Sequence, residues 1–250
     1  MADRGVSEVL GFILVFSLIV TTVGIVYVGG MSGLTDTRDT ERINNAERAF
    51  DVLADNFQQL GRAEAPSRAT EIRIAGGQLS TSRNYPLVTN RTDDPDGETR
   101  LNPVSIEYST GGSERIVYES GAVIRTSGEG AGVMLREPDL IFDEDRTVLR
   151  YIEPRGSGQA IGGTTTVLVR AQTNTVETLD EGSGGQPVRI RLQTAEDRAN
   201  IWKEYFEEQL EWETDPCSVE AATGDDSVVV CTFDTDVIHV AHVRMQVEIS

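Results

Sequence analysis

Twenty consecutive residues, Val9 to Val28, carry no charge, and they follow a head of only eight residues. At about 1.5 Å of rise per residue, a helix of that length spans about 30 Å, the thickness of a bilayer's hydrocarbon core. A buried core helix is shorter, and a cleavable secretory signal has an apolar core of roughly 7 to 15 residues that ends in small residues at a cut site. This stretch runs longer, into Tyr27, Gly29, Gly30 and Gly33. It predicts a membrane-spanning helix, the alternative being an apolar hairpin inside a large domain. Membrane lipid is thus the first expected partner.

The charge balance narrows the remaining partners. The chain has 41 Asp plus Glu against 22 Lys plus Arg, a net charge of −19, and Lys203 is its one lysine. Such a surface repels nucleic acid and anionic lipid alike. Self-repulsion also works against a compact state, and salt relieves it by screening over about 3 Å at 1 M. The composition resembles that of proteins from extremely halophilic archaea.

Cys217 and Cys231 are separated by thirteen residues with a Gly-Asp-Asp turn signal between them. A strand, a turn around Gly224 to Ser227 and a returning strand from Val228 to Phe233 would bring the thiols within bonding reach. Closing a loop of about 15 residues stabilises by about 3 kcal/mol. A disulfide persists outside the cytosol, whereas two free buried thiols would fit either side. Two cysteines without partnering histidines make no zinc site. The sequon Asn90-Arg91-Thr92 sits in a polar, Pro- and Asp-rich stretch and makes Asn90 a candidate for N-glycosylation in a surface loop.

Past the apolar segment, Gly29, Gly30, Ser32 and Gly33 predict a flexible or kinked hinge. A second helix then runs from Asp36 to Arg62, with Ile43, Ala46, Phe50, Leu53, Phe57 and Leu60 on a single seam. That seam packs along neighbouring subunits or covers the chain's own sheet; the second use is favoured, because one seam can be consumed inside the subunit. From Ala69 the period becomes alternating, with turn residues about every ten positions. Strands are expected at Thr70 to Ala75, Val104 to Ser109, Glu114 to Glu119, Ala122 to Thr126, Val133 to Arg136, Thr147 to Glu153, Thr164 to Thr173, Val188 to Thr194, Val228 to Phe233 and Val237 to Ile249. In the last, Val243, Met245, Val247 and Ile249 alternate with polar residues, as in an antiparallel sheet with one wet face. One helix, Ala195 to Trp212, interrupts them; Thr194 and Asp197 resemble a capping pair, and Trp202, Phe206 and Leu210 form a core-facing stripe.

The expected fold is therefore α+β, with four parts. These are a leader over 1–8, a transmembrane helix over 9–28, a Gly hinge with an amphipathic stalk helix over 29–62, and an antiparallel β-rich, sandwich-like head with one further helix over 69–250.

Catalytic motifs are scarce. His239 and His242, three apart on a strand, point to opposite faces and neither chelate one metal nor pair as base and orienter. Asp93 to Gly97 reads as a turn, because a calcium loop with Gly97 at its sixth position would need carboxylates where Thr92 and Pro103 stand. The sequence holds no phosphate-binding loop and no metalloprotease or hydrolase signature, so no enzyme activity and no cofactor is expected.

The N-terminal run Asp3-Arg4-Gly5-Val6-Ser7-Glu8-Val9-Leu10-Gly11-Phe12-Ile13-Leu14, leading into an apolar helix and then an amphipathic one, resembles the start of the type IV pilin-like proteins of halophilic archaea. The stretch Trp202-Lys203-Glu204-Tyr205-Phe206-Glu207 is similar to one in uncharacterised members. The resemblance implies that a prepilin peptidase removes the leader after Gly5, leaving Val6 first. It also implies that the apolar helix serves first as anchor and then as the packed spine of a filament. Ser17, Thr21 and Gly24 form a small-residue stripe on that helix that lets another helix approach closely. The expected function is a cell-surface subunit, a minor one, with its N-terminus in the cytoplasm and its head outside, partnered by itself or other pilin-like subunits. A monomeric, membrane-tethered binding or sensing domain is the competing reading.

Overall fold

A computed structural model describes residues 3–91, 98–128, 131–183 and 187–250. The chain is α+β, mostly antiparallel sheet, and divides into two compact units, Met1–Arg42 and Ile43–Ser250. Helix α1 (Asp3–Gly61) accounts for the whole described length of the first unit and opens the second. The two expected helices are one: glycines 29, 30 and 33 lie within α1. Each costs about 1 kcal/mol relative to alanine, but stopping and restarting a helix needs a second nucleation, unfavourable by a factor of about 10³.

In the second unit the seam behaves as the heptad pattern predicts. Ile43, Phe50, Leu53 and Leu60 are fully buried, and Ala46 and Phe57 nearly so. They pack against Ile72, Val169, Val243 and Met245 on one side and against Leu79, Ile106, Tyr108 and Tyr118 on the other, forming the first of two cores. The seam is consumed inside the chain.

Three sheets surround the cores of the head that was expected to be sandwich-like. With strands numbered in chain order, sheet A is β1 (Ser67–Arg73), β12 (Thr166–Ser183), β16 (Val237–Ile249), β10 (Arg146–Arg155) and β9 (Leu140–Ile141). Sheet B is β11 (Gln159–Gly162), β2 (Gln78–Asn84), β5 (Val104–Ser109), β6 (Glu114–Glu119), β7 (Ala122–Ser127) and β8 (Gly132–Arg136). Sheet C is β14 (Cys217–Ala221), β15 (Asp226–Phe233), β13 (Val188–Ala195), β3 (Leu87–Arg91) and β4 (Thr99–Leu101). The strands that the alternation missed, β2, β3, β4, β9 and β11, are short, rich in polar residues or sheltered on both faces, which blurs a period of two.

One pairing departs from the antiparallel expectation: β16 runs parallel to β10, with Leu149 beside Val240 and Ile152 beside Val243. The two strands serve both cores. Ile238 and Val240 of β16 face the second core, whereas Val243, Met245, Val247 and Ile249 face the first. The buried face of β16 therefore changes sides between His242 and Val243.

The second core is built on helix α2 (Glu196–Gln209), which lays Trp202, Phe206 and the following Leu210 against Ile190, Leu192, Val229 and Phe233 of sheet C. Trp202 and Phe206 stack with ring centroids 5.7 Å apart. The expected Thr194–Asp197 cap is not formed: Ala195 is the N-cap and makes no side-chain cap hydrogen bond. Thr194 is fully buried and its hydroxyl donates to Glu119 instead, at 2.6 Å, a charge-assisted bond to a buried carboxylate. The β6–β7 hairpin turns on Ser120 and Gly121, both at positive φ (49° and 96°), as a two-residue primed turn requires.

Candidate functional site

Among the described residues, the longest run of exposed apolar side chains is the segment Val9–Tyr27 of α1. Its mean hydropathy is 2.7 and none of it is buried within the chain. It is long enough to cross a membrane, by length and composition. Phe12, Leu14, Leu18, Val23, Ile25 and Val26 are each more than 60% exposed. On the small-residue stripe, the Thr21 hydroxyl donates to the Ser17 carbonyl at 2.7 Å, so it needs no outside partner. A Cβ built at Gly24 meets nothing within 4 Å. The stripe is thus open to a neighbouring helix. Gly5 and Val6 are helical in backbone, and Met1 and Ala2 lie outside the described residues.

Cys217 and Cys231 form a disulfide, as the hairpin spacing predicts. They stand directly opposite each other in the β14–β15 ladder, with Cα atoms 4.2 Å apart, and are buried in the second core. Asn90 differs from its expected loop setting: it lies near the end of β3, opposite Arg189, and its side-chain amide donates to the Arg91 carbonyl at 2.9 Å. Thr92 and the Asp93 to Gly97 turn lie outside the described residues.

The histidines separate as expected. His239 is half-buried, while His242 is buried and shares a 2.8 Å hydrogen bond with Glu153. Glu153 also accepts from Arg155 (3.1 Å), Arg244 (3.2 Å) and the Asn102 amide (2.9 Å). Burial alone would raise its pKa, but the four donors outweigh burial and hold the carboxyl well below the usual range. A second buried carboxylate, Glu119, accepts from Thr194 and Trp202 on one oxygen and from Arg198 on the other. Arg198 also lies over the Tyr85 ring, 5.2 Å from its centroid. With each oxygen of the two carboxylates already accepting two hydrogen bonds, both suit a structural role better than proton transfer, which needs a lone pair free for substrate. Among the described residues, no cluster of three His, Cys, Asp or Glu side chains could hold a metal ion.

Sequence reasoning missed both networks, though one left a trace. Arg198 falls four residues before Trp202 and eight before Phe206, so it occupies the buried stripe of α2, where a charge demands a buried partner. The identity of that partner, 79 residues away, is a tertiary fact.

These features define an α+β protein with an apolar N-terminal helix long enough to span a bilayer, followed by a disulfide-closed unit rich in antiparallel sheet. The chain belongs to a family of unknown function, DUF7289, which matches residues 4–248. It is similar to an uncharacterised protein of Archaeoglobus fulgidus, 23% identical over 258 residues, covering 91% of this chain and 95% of the relative. A second uncharacterised protein of the same archaeon is 26% identical over 119 residues, 44% of this chain and 39% of that protein. No solved structure matches the chain.

Proposed function

We propose that this protein is a pilin-like cell-surface subunit. The segment Val9–Tyr27 anchors it in the membrane, with the N-terminus in the cytoplasm and the disulfide-bonded unit outside, and then packs against other subunits in a filament or display assembly. One observation carries the reading. A predominantly apolar segment of 19 residues is 0% buried by the chain itself, so lipid or other helices must cover it. The seam at Ile43 to Leu60 is already filled, which leaves the N-terminal segment as the apolar surface of α1 available for assembly. The buried disulfide favours an outside location, and the leader and helix resemble those of archaeal pilin-like proteins. The function is mechanical, with no catalytic step and no cofactor.

Processing and assembly test it together. The mature protein should begin at Val6 by mass, and Gly5→Val should abolish that cut. Gly24→Leu keeps the hydropathy needed for insertion but blocks close helix approach. It should stay in the membrane fraction at normal abundance and disappear from sheared extracellular material. An intact leader, together with no wild-type protein in sheared material, would favour the membrane-tethered binding or sensing domain. Alkylation of non-reduced protein on intact cells should leave Cys217 and Cys231 unlabelled; labelling of both would remove the case for an outside head.

A further inference from the structure

Three exposed glutamates, Glu137, Glu204 and Glu208, line one groove between α2 and β8. On α2, Ile201, Glu204, Tyr205 and Glu208 recur at helical spacing and share one face over two turns, about 10 Å of helix. Gly132, Val133 and Met134 of β8, with Glu137 just after the strand, form the opposite wall. Gly132 lets the walls come close, because a Cβ there would lie 2.6 Å from Ile201 Cδ1. Ile201 and Tyr205 are buried and the glutamates exposed, so the floor is apolar and the rim acidic. The groove holds about 190 Å³. A pocket for a drug-sized ligand holds roughly 300–1,000 Å³, so this one suits a slender chain.

Nothing within the chain answers the charge of the rim. No lysine or arginine lines the groove, and none of the three carboxylates has an ion-pair or hydrogen-bond partner among the described residues. The cations beside it in sequence are committed elsewhere: Arg198 to Glu119, Lys203 to Glu207, and Arg136 to Asp51 and Asp55. A second observation points to a ligand. Tyr205 is only 4% exposed, its ring packed against Trp202 and Phe206, and its hydroxyl has no hydrogen-bond partner among the described residues. Burial, and after it the charge of Glu137, push its pKa up, so the hydroxyl stays protonated within the field of a carboxylate on the far wall. A hydroxyl removed from water without a partner is costly, and this one lines a groove where a ligand can supply the missing bond. Among the described residues no three such side chains could hold a metal ion, so the glutamates suit charges spread along a molecule better than one small cation.

We propose that the groove binds a linear aliphatic oligoamine, a chain of methylenes carrying two or more ammonium groups. Glu204 and Glu208, about 6 Å of rise apart, take two ammonium groups joined by a few methylenes. The methylenes lie over Ile201, Val133 and Met134, and an ammonium N–H beside Glu137 donates to the Tyr205 hydroxyl oxygen. A hydrated metal ion would answer only the rim, and an uncharged apolar ligand only the floor. The inference concerns the second unit alone and does not rest on the pilin-like reading.

The test is isothermal titration calorimetry of the full-length, disulfide-bonded protein in nonionic detergent with spermidine, at a fixed salt concentration where circular dichroism shows the fold intact. One spermidine should bind per chain. Glu204→Gln with Glu208→Gln should weaken binding about tenfold or more, because both charge-assisted hydrogen bonds are lost. Glu177→Gln with Glu220→Gln removes the same charge from exposed positions outside the groove and should bind as wild type does. Tyr205→Phe keeps the ring in the core and should weaken binding severalfold, with the urea midpoint close to that of wild type. Propylamine, with one charge, and magnesium ion should each bind at least tenfold more weakly than spermidine. Equal weakening by the two glutamine pairs would mean that spermidine is a diffuse counter-ion to the net charge of −19, and would overturn the proposal. So would unchanged affinity in Tyr205→Phe, magnesium bound as tightly as spermidine, or no binding to the wild-type protein.

Discussion

The two apolar stretches of α1 differ in where their partners are. Ile43 to Leu60 places its larger apolar residues, Val52 apart, on one seam and charges on the other faces, and that seam is almost entirely buried by sheets A and B. Val9–Tyr27 is apolar on every side and 0% buried. A helix with one apolar stripe can be satisfied by the fold that contains it, whereas a helix apolar all round needs a second medium or several other helices. Composition around the helix axis, more than hydrophobicity as such, separates the part of α1 that stabilises the fold from the part that connects the protein to its surroundings.

The largest effect that could break this comparison is a truncation in each stretch. Phe57→Ala should destabilise the second unit by about 3–5 kcal/mol, since Phe57 is buried and sits edge-on to Tyr118 at 4.9 Å. Phe16→Ala, at an exposed position, should leave the same unfolding transition within about 0.5 kcal/mol. Urea titrations of both full-length variants followed by tryptophan fluorescence would show it, and equal losses would erase the distinction.

Acid supplies a smaller contrast. Hydrogen bonds to Glu153 lower its folded pKa despite burial. The stability it contributes is therefore full above the unfolded carboxylate value of about 4.3 and is lost as pH falls through the lower folded value. The difference between wild type and Glu153→Gln should be greatest at neutral pH and shrink below about pH 4. A pH-independent difference would mean that the network contributes packing only. Val9–Tyr27 holds no titratable carboxylate, so acid should leave its membrane association intact.

Much of this division was legible from local pattern. The seam from Ile43 to Leu60, the alternation from Val243 to Ile249 and the Cys217–Cys231 hairpin each depend on residues close in sequence. Long-range relations were not legible. Nothing near Thr194 signals that its hydroxyl goes to Glu119 rather than to the helix end. The parallel pairing of β10 with β16 joins residues about 90 apart, and it places both strands between two cores, so His242 and Val243 are buried on opposite faces and the period is interrupted. The glycines 29, 30 and 33 suggested two helices where there is one: their local cost is real, yet the helix on both sides carries them. The assembling surface was legible only as the Ser17, Thr21 and Gly24 stripe, whose partner lies outside the chain.

The most direct test of the central claim is photolabelling of membranes from producing cells with a carbene-generating probe confined to the hydrocarbon core, followed by peptide mapping of the full-length protein. The account predicts label within Val9–Tyr27 and none at Ile43 to Leu60. Label spread over both stretches, or absent from Val9–Tyr27 in protein recovered from membranes, would contradict it.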